Sequence, residues 1–322
     1  MPGMFAMTGS TPGVRGPRAA RWATTAAGLT LAAMLALVTP ATGAPAPDAD
    51  PPVGQPAPYP KVPVGPTEVF RGDYDTGNFG QWGTCQSVKV NTSCRSVKPG
   101  QHYSMGMVPT PNARQGPFAA RFEVRDGDVP NFGGGERSEV SSSAPGALTH
   151  EGDERWYEFS MYLPPEFQNP KGYWFIVMQW HGGDGSPPLA VVVTKDGKVA
   201  LGGGDGGDVT AREPRPLGPV RRGQWVDYVL HVGFSVNKSE GYVEGWENGV
   251  QTVPRYSRRT MRDDESYLKQ GIYRESDGST AVVWLDGLRI TGPAGRWSLS
   301  APRRPELCHD HTPPGAACTP PS

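Results

Sequence analysis

The sequence carries no excess of charge of either sign. Its 322 residues include 31 lysines and arginines against 32 aspartates and glutamates, a formal net charge of −1 at pH 7. Proteins that hold nucleic acid or an anionic membrane over a broad surface carry a strong positive balance, so neither partner is expected here. An acidic ligand would have to be held by a local cluster of basic side chains.

The sequence also lacks apolar residues at the three- and four-residue spacing of an amphipathic helix. No long segment shows the pattern of an amphipathic helix, and no repeat of solenoid or propeller length is present. Short segments alternate instead between apolar and polar residues, separated by many of the 43 glycines and 35 prolines. Asp196-Gly197 and Asn248-Gly249 are typical of two-residue hairpin turns between such segments. The pattern predicts an all-β sandwich or barrel.

The N-terminal segment has the order of a secretory signal peptide. Three arginines precede an apolar stretch at 26–38 and then small residues near residue 43. The apolar stretch is too short to span a bilayer comfortably, which argues against a membrane anchor. We therefore expect a secreted, extracellular protein with no membrane attachment after cleavage. Its predicted parts are a signal peptide at 1–43, a Pro-rich linker at 44–67, a β-sandwich domain at 68–299 and a Pro-rich tail at 300–322.

Cysteine is scarce, and its four copies form two close pairs, Cys85 with Cys94 and Cys308 with Cys318. In an exported chain two local disulfides are the simplest interpretation, although three connectivities are formally possible. Zinc binding by the stretch 308–311 together with Cys318 is disfavoured, because the spacing matches no standard zinc module.

Three segments place polar side chains at alternate positions, as a β-strand does on one of its faces. An ordinary surface strand also carries polar side chains at alternate positions, so one such segment alone is not informative and only the combination of the three is. Gly271, in the third segment, leaves room for something to approach closely. The pairs are Arg137 with Glu139, Gln179 with His181, and Lys269 with Tyr273.

Alternation in the second segment predicts which of its residues enter the core. One face is expected to be core: Trp174, Ile176, Met178 and Trp180. The opposite face is expected to carry Tyr173, Phe175, Val177, Gln179 and His181.

The combined side chains suit β-elimination on a uronate sugar. Removing the weakly acidic C5 proton requires a base, and charge that grows on the carboxylate requires a positioned cation or hydrogen-bond donor. We expect Arg137 and Gln179 to hold the carboxylate, with His181 as the base and Tyr273 as the acid that protonates the leaving oxygen. The sequence leaves open an exchange of these two roles, or Tyr273 in both. Lys269 is expected to bind a neighbouring carboxylate or to lower the pKa of Tyr273.

These segments resemble the motif set of alginate-lyase-type polysaccharide lyases and of the related heparin lyase I and glucuronan lyase families. The resemblance covers roughly residues 68–292, and the opening segment 70–82 is closer to the second group. It departs from the alginate-lyase pattern at Val140-Ser141, where a further arginine is usual, and at Trp180, where an aliphatic residue is usual. The matching motifs are Arg137-Ser138-Glu139, Gln179-Trp180-His181 and Tyr267 to Tyr273.

The resemblance implies a β-jelly-roll sandwich with a concave substrate groove. It implies elimination without a catalytic cofactor, an acidic polysaccharide as partner, and a structural calcium ion for which Asp75 and Asp286 are the candidates. Arginines at 255–262 and at 274 form the best local basic cluster, suited to carboxylate or sulfate groups. The residues expected to bind substrate are Lys269, Glu139, Arg274 and Arg259.

Two other functions remain open at this stage. A glycoside hydrolase needs two carboxylates flanking the bond, and Glu244 and Glu247 point to opposite faces of a strand. A non-catalytic carbohydrate-binding sandwich would keep the groove but would not need His181 and Tyr273 together. A monomer is expected in each case.

Overall fold

Strands account for nearly all regular structure in the chain. The computed structural model describes residues 68–204 and 214–292, which contain seventeen β-strands and one short 3-10 turn, Cys94–Ser96. No α-helix occurs in these two ranges, which confirms the predicted all-β class. None of the described residues forms a helix long and apolar enough to cross a membrane.

One sheet has eight strands, numbered here along the chain. Its members are β1 Glu68–Gly72, β4 Met105–Pro109, β5 Phe118–Val124, β8 Glu154–Leu163, β13 Gln224–Gly233, β14 Tyr242–Glu247, β15 Val250–Ser257 and β17 Ala281–Thr291. Their spatial order is β15-β14-β13-β8-β17-β5-β4, with β1 also paired to β17.

The other sheet has nine strands. Its members are β2 Thr84–Ser87, β3 Asn91–Ser93, β6 Glu136–Ser142, β7 Leu148–His150, β9 Phe175–His181, β10 Leu189–Val193, β11 Lys198–Gly202, β12 Arg215–Pro219 and β16 Glu265–Arg274. Their spatial order is β12-β11-β10-β9-β16-β6-β2-β3, with β7 also paired to β16.

The core lies between the two sheets. Alternate residues of each strand enter it, among them Phe159 and Leu230 from the eight-stranded sheet and Trp180, Leu268 and Ile272 from the nine-stranded sheet. All five side chains are fully buried, at 0% exposure. Full burial of such a side chain contributes about 1.5–3 kcal/mol to stability. The two antiparallel sheets packed face to face form the predicted jelly-roll sandwich.

Both predicted hairpins form, with different turns. Asn248 and Gly249 have φ of +48° and +81°, as a two-residue turn between β14 and β15 requires. Between β10 and β11 the connection is the four residues 194–197, and of its Asp-Gly pair only Gly197 has positive φ, +75°. The second turn is therefore longer than the dipeptide predicts.

The disulfide between Cys85 and Cys94 is confirmed and joins β2 to the 3-10 turn, with the two Cα atoms 4.9 Å apart. The predicted signal peptide, linker and C-terminal tail lie outside the described residues. So do the end of the predicted domain at 299 and the pair Cys308 and Cys318.

Candidate active site

Three adjacent strands bring the sequence-predicted polar residues together. β16 lies between β9 and β6 in the nine-stranded sheet. Its register places Tyr273 opposite Arg137 on β6 and Lys269 opposite Gln179 on β9. His181 lies at the end of β9, opposite Tyr267. We call the outer face that these side chains share the site face.

Glu139 joins three of these side chains. Its Oε1 accepts a hydrogen bond from Gln179 Nε2 at 2.5 Å. Its Oε2 accepts from Arg137 Nη1 at 2.9 Å and lies 2.8 Å from Lys269 Nζ. Glu139 is 1% exposed and Lys269 is 4% exposed, so the ion pair is buried. Two cations and one carboxylate leave this cluster with one net positive charge.

The cluster changes two of the predicted substrate contacts. Glu139 was expected to bind substrate, but its oxygens are occupied by three donors of the protein itself. Lys269 was expected to bind a carboxylate, but its ammonium is buried against Glu139. Burial lowers the pKa of Lys269, and Glu139 opposes that effect. Both residues therefore organise the site rather than present a free group to solvent.

Arg137 retains hydrogen-bonding capacity beyond this cluster. Its guanidinium lies 4.0 Å from the ring centroid of Tyr273 and 5.6 Å from that of Phe132. Among the described residues, Arg137 Nε and Gln179 Oε1 are buried without a hydrogen-bond partner. Buried polar groups without partners are costly, so a ligand that pairs with them gains free energy.

His181 is held in a form that can accept a proton. Its Nδ1 lies 3.4 Å from the hydroxyl of Tyr267. Burial lowers the pKa of His181, and the charges of Lys269 and Arg137 lower it further, while Glu139 opposes them. Because the ordinary pKa of histidine is already near 6.5, the ring is neutral at pH 7.

Tyr267, the first residue of the third motif, was given no role from the sequence, and Phe132 was missed. Tyr267 lies two residues before Lys269, so the same alternation that grouped Lys269 with Tyr273 also places it on the site face. Burial raises the pKa of Tyr267. Phe132, 46% exposed, precedes β6 in an irregular loop, where no periodic pattern marks it.

The loop before β6 passes next to the site, and a glycine makes this close passage possible. Gly134 has φ of +88°. A Cβ at this position would lie 3.2 Å from both Arg137 Nη2 and the Tyr273 hydroxyl. Glycine therefore lets the backbone pass beside these two groups.

The close approach predicted at Gly271 is made by the backbone of β6. Gly271 has φ of +137°, and a Cβ there would lie 2.3 Å from the carbonyl oxygen of Ser138 and 2.7 Å from Cα of Glu139. The space beside Gly271 is therefore used by the backbone of β6, not by a ligand. The close approach is between two strands of the site itself.

The predicted faces of the second segment are partly wrong. Pairing with β10 runs from Met178 opposite Val191 to Ile176 opposite Val192, so Val177 is an extra residue on β9. This bulge reverses the alternation. Trp174 and Ile176 therefore lie on the site face, where Trp174 contacts Tyr273 with ring centroids 4.4 Å apart. Four residues of the segment are in the core: Phe175, Val177, Met178 and Trp180.

Arg274, a predicted substrate contact, points into the protein. It is 1% exposed, and its guanidinium pairs with Glu136 at 2.7 Å and with Asp277 at 3.0 Å. Arg274 comes directly after Tyr273, so the alternation of β16 sends the two side chains to opposite faces. The prediction is wrong for this residue.

The remaining arginines do not form one substrate-binding patch. Arg259 donates to the carbonyl of Val236 at 2.9 Å. Arg255 pairs with Glu244 at 2.9 Å on the eight-stranded sheet. Arg258 and Arg262 donate to the carbonyls of Pro188 and Ser186 at 2.5 and 2.6 Å, and so fix the connection after His181. These arginines are close in sequence, but the fold directs them to different parts of the protein.

The two predicted calcium ligands lie close together. Oδ2 of Asp286 accepts the backbone N–H groups of Arg114 and Gln115, each at 2.8 Å. Burial raises the pKa of Asp286 well above its ordinary value, and the charge of Asp75 adds to this. Oδ1 of Asp286 is buried with no hydrogen-bond partner among the described residues. Two acidic groups in such a place suit a cation, although no group of three or more metal-ligating side chains occurs in 68–204 or 214–292.

Comparison with known proteins gives a family and a fold. A family model described as polysaccharide lyase matches residues 74–289. An endo-β-1,4-glucuronan lyase from the fungus Trichoderma reesei is similar in structure, with a TM-score of 0.52 and 18% identity over 70% of this chain and 96% of that one. The family 7 alginate lyase A1-II′ in complex with substrate has a TM-score of 0.50 and 16% identity over 69% of this chain and 97% of that one. No curated protein sequence matches the chain.

Proposed function

Since the chain belongs to the polysaccharide lyase family, we propose that it cleaves a uronate-containing polysaccharide, glucuronan or a heparin- or alginate-like chain, by β-elimination on the site face. The observation that carries the proposal is the cluster at Glu139. It holds Arg137, Lys269 and Gln179 beside a neutral His181 and the hydroxyl of Tyr273. The net positive charge of this cluster suits an anionic sugar.

The substrate carboxylate binds at Arg137 and Gln179. Of their unpaired buried atoms, Arg137 Nε would donate to a carboxylate oxygen, and Gln179 Oε1 would accept from a hydroxyl of the sugar. As the C5 proton leaves, negative charge moves onto the carboxylate, and the arginine stabilises it. Lys269 adds to this field through its ion pair with Glu139.

Proton transfer is assigned to His181 and Tyr273. The neutral imidazole takes the C5 proton, and the electron pair of the C5–H bond forms the C4–C5 double bond. The C4–O bond breaks, and its electrons go to the leaving glycosidic oxygen, which takes the proton of the Tyr273 hydroxyl. Water returns that proton to the tyrosine and removes the one on histidine, so no cofactor is required for the reaction.

Three further expectations accompany this function. The order of residues at 1–43 supports secretion to the extracellular space. Asp75 and Asp286 are proposed to hold a structural calcium ion, supported by their proximity and by the unpaired oxygen of Asp286. The protein is proposed to act as a monomer.

The test is the ultraviolet absorbance of unsaturated uronate product, measured with glucuronan, alginate, heparin, heparan sulfate, hyaluronan and pectate. A rise that is lost in His181→Ala and in Tyr273→Phe would support the proposal and identify the substrate. Reducing ends released without ultraviolet absorbance would contradict it in favour of a glycoside hydrolase. Glycan binding without any cleavage would contradict it in favour of a carbohydrate-binding module.

A further inference from the structure

A cavity opens at the edge of the sandwich, outside the Glu139 cluster. It has a volume of about 420 Å³, within the range of small-molecule sites. Its walls are the β2–β3 hairpin and the segment that runs from the 3-10 turn to the start of β4. Neither the catalytic proposal nor the predicted calcium site uses this cavity.

The lining of this cavity is positively charged. Lys89, Lys98 and His102 line it, and none of the ten described residues around it is acidic. In a chain with balanced charge overall, such a lining favours an anion. His102 is fixed in orientation, because its Nδ1 lies 2.9 Å from the hydroxyl of Ser104 and 3.3 Å from the backbone nitrogen of the same residue.

The floor of the cavity is apolar. Val90, Val97 and Met105 line it, and Met105 is 1% exposed and belongs to the core. A pyranose uronate presents apolar C–H faces together with a carboxylate, and so fits both kinds of lining. A bare inorganic anion would leave the apolar part unused.

The walls of the cavity are held in place by the fold. The disulfide between Cys85 and Cys94 closes the hairpin wall. In the opposite wall the backbone N–H of Gly100 donates to the carbonyl of Met105 at 2.9 Å. A preformed site loses little conformational freedom on binding, which favours affinity.

The cavity lies at the edge of the nine-stranded sheet, level along the strands with Arg137. β2 pairs with β6, with Ser87 opposite Ser138, so the β2–β3 turn begins level with Arg137. β3 is two strands away from β6, a distance of ~10 Å. A polysaccharide held at Arg137 spans that distance within a few sugar units.

We propose that this cavity is an accessory binding site for a uronate unit of the polysaccharide, held by Lys89, Lys98 and His102. The inference rests on the proposed function, whose substrate class it shares. It assigns these residues to holding the polymer beside the reactive groups and gives them no part in the elimination.

The test is binding of glucuronan, with alginate as a second probe, to full-length protein carrying Tyr273→Phe so that no chain is cut. Adding Lys89→Ala with Lys98→Ala is expected to raise the dissociation constant about tenfold, as the loss of charge-assisted hydrogen bonds implies. Lys198→Ala with Lys238→Ala removes the same charge from exposed positions and is expected to change it by less than about twofold. Melting temperature verifies that each variant is folded.

The imidazole resonances of His102 locate the ligand. They are expected to shift when glucuronan is added, and inorganic sulfate at equal charge is expected not to displace it. Equal affinities for the two pairs of lysine variants, or full displacement by sulfate, would overturn the accessory site. If the unmodified protein cleaves no uronan, the elimination proposal fails, and the binding measurement still decides the cavity independently.

Discussion

Replacing Glu139 by glutamine tests the organisation of the site. The change keeps the shape of the side chain and removes the charge that Lys269 faces at 2.8 Å. With Lys269 only 4% exposed, its ammonium would become a buried charge without a counter-ion. Breaking a buried pair in this way costs about 3–5 kcal/mol. We expect a loss of that size in the free energy of unfolding, measured by urea denaturation.

Glu139→Gln should also lower kcat and shift the pH dependence of kcat/KM. Glutamine keeps one acceptor oxygen where the carboxylate offered two to Arg137, Gln179 and Lys269. Misplacing one oriented donor of a developing charge typically costs a factor of about 10²–10³ in kcat. Glu139 also acts to raise the pKa of His181. Its loss should therefore lower that pKa and move the acid limb of the kcat/KM profile to lower pH, a shift that mere loosening of the fold would not produce.

Two controls sharpen this test. Glu123→Gln removes a carboxylate that pairs with Arg121 and Arg125, whose side chains are 32% and 51% exposed, so a loss of only about 1 kcal/mol is expected. The double variant Glu139→Gln with Lys269→Met leaves no unpaired lysine charge and should be more stable than Glu139→Gln alone. Wild-type stability in Glu139→Gln, or a double variant no more stable than the single one, would refute the reasoning.

The remaining predictions concern pH, the β6–β16 contact and calcium. Because the pKa of His181 is lowered below 6.5, kcat/KM should stay level at neutral pH and fall only as the pH drops through that lowered pKa; a fall that begins near pH 7 would contradict His181 as the base. Gly271→Ala should lower the free energy of unfolding by several kcal/mol, since a Cβ meets Ser138 O at 2.3 Å with φ of +137°, and an unchanged urea midpoint would contradict this. Calcium should raise the melting temperature and a chelator should lower it, equivalent to about 2.7 kcal/mol at a hundredfold excess over the dissociation constant; Asp286→Asn should abolish the response, and a response that persists would exclude this site.

Local alternation was enough to predict the site residues on all three strands, including Gln179 with His181 on β9, where only the residues up to the bulge were misplaced. Arg137 with Glu139, and Lys269 with Tyr273, lie on one face because β6 and β16 keep an uninterrupted period of two across these residues. The sequence could not give the register between strands, which depends on pairings as distant as Tyr273 with Arg137. That register turns separate surface pairs into one cluster.

The errors have the same physical origin. The bulge at Val177 is invisible in a segment that is apolar on both faces, yet it moves Trp174 from the core to the ring of Tyr273. Arg274 was assigned to substrate binding because it adjoins the basic cluster in sequence, but its partner Glu136 is 138 residues away. A buried ion pair formed by distant strands leaves no local pattern in the sequence.

An acidic residue at the centre of a site proposed for an acidic substrate would by itself repel that substrate. Arg137 and Lys269 lie on neighbouring strands of one buried face, and the charge of Arg137 lowers the pKa of Lys269. Without Glu139 the two cations would repel each other, and the lysine would tend to lose its proton. One carboxylate, shared between them and closed by the amide of Gln179, keeps both charged and leaves one positive charge in excess. The carboxylate therefore increases the positive field available to a uronate, because it is the condition for having two cations there at all.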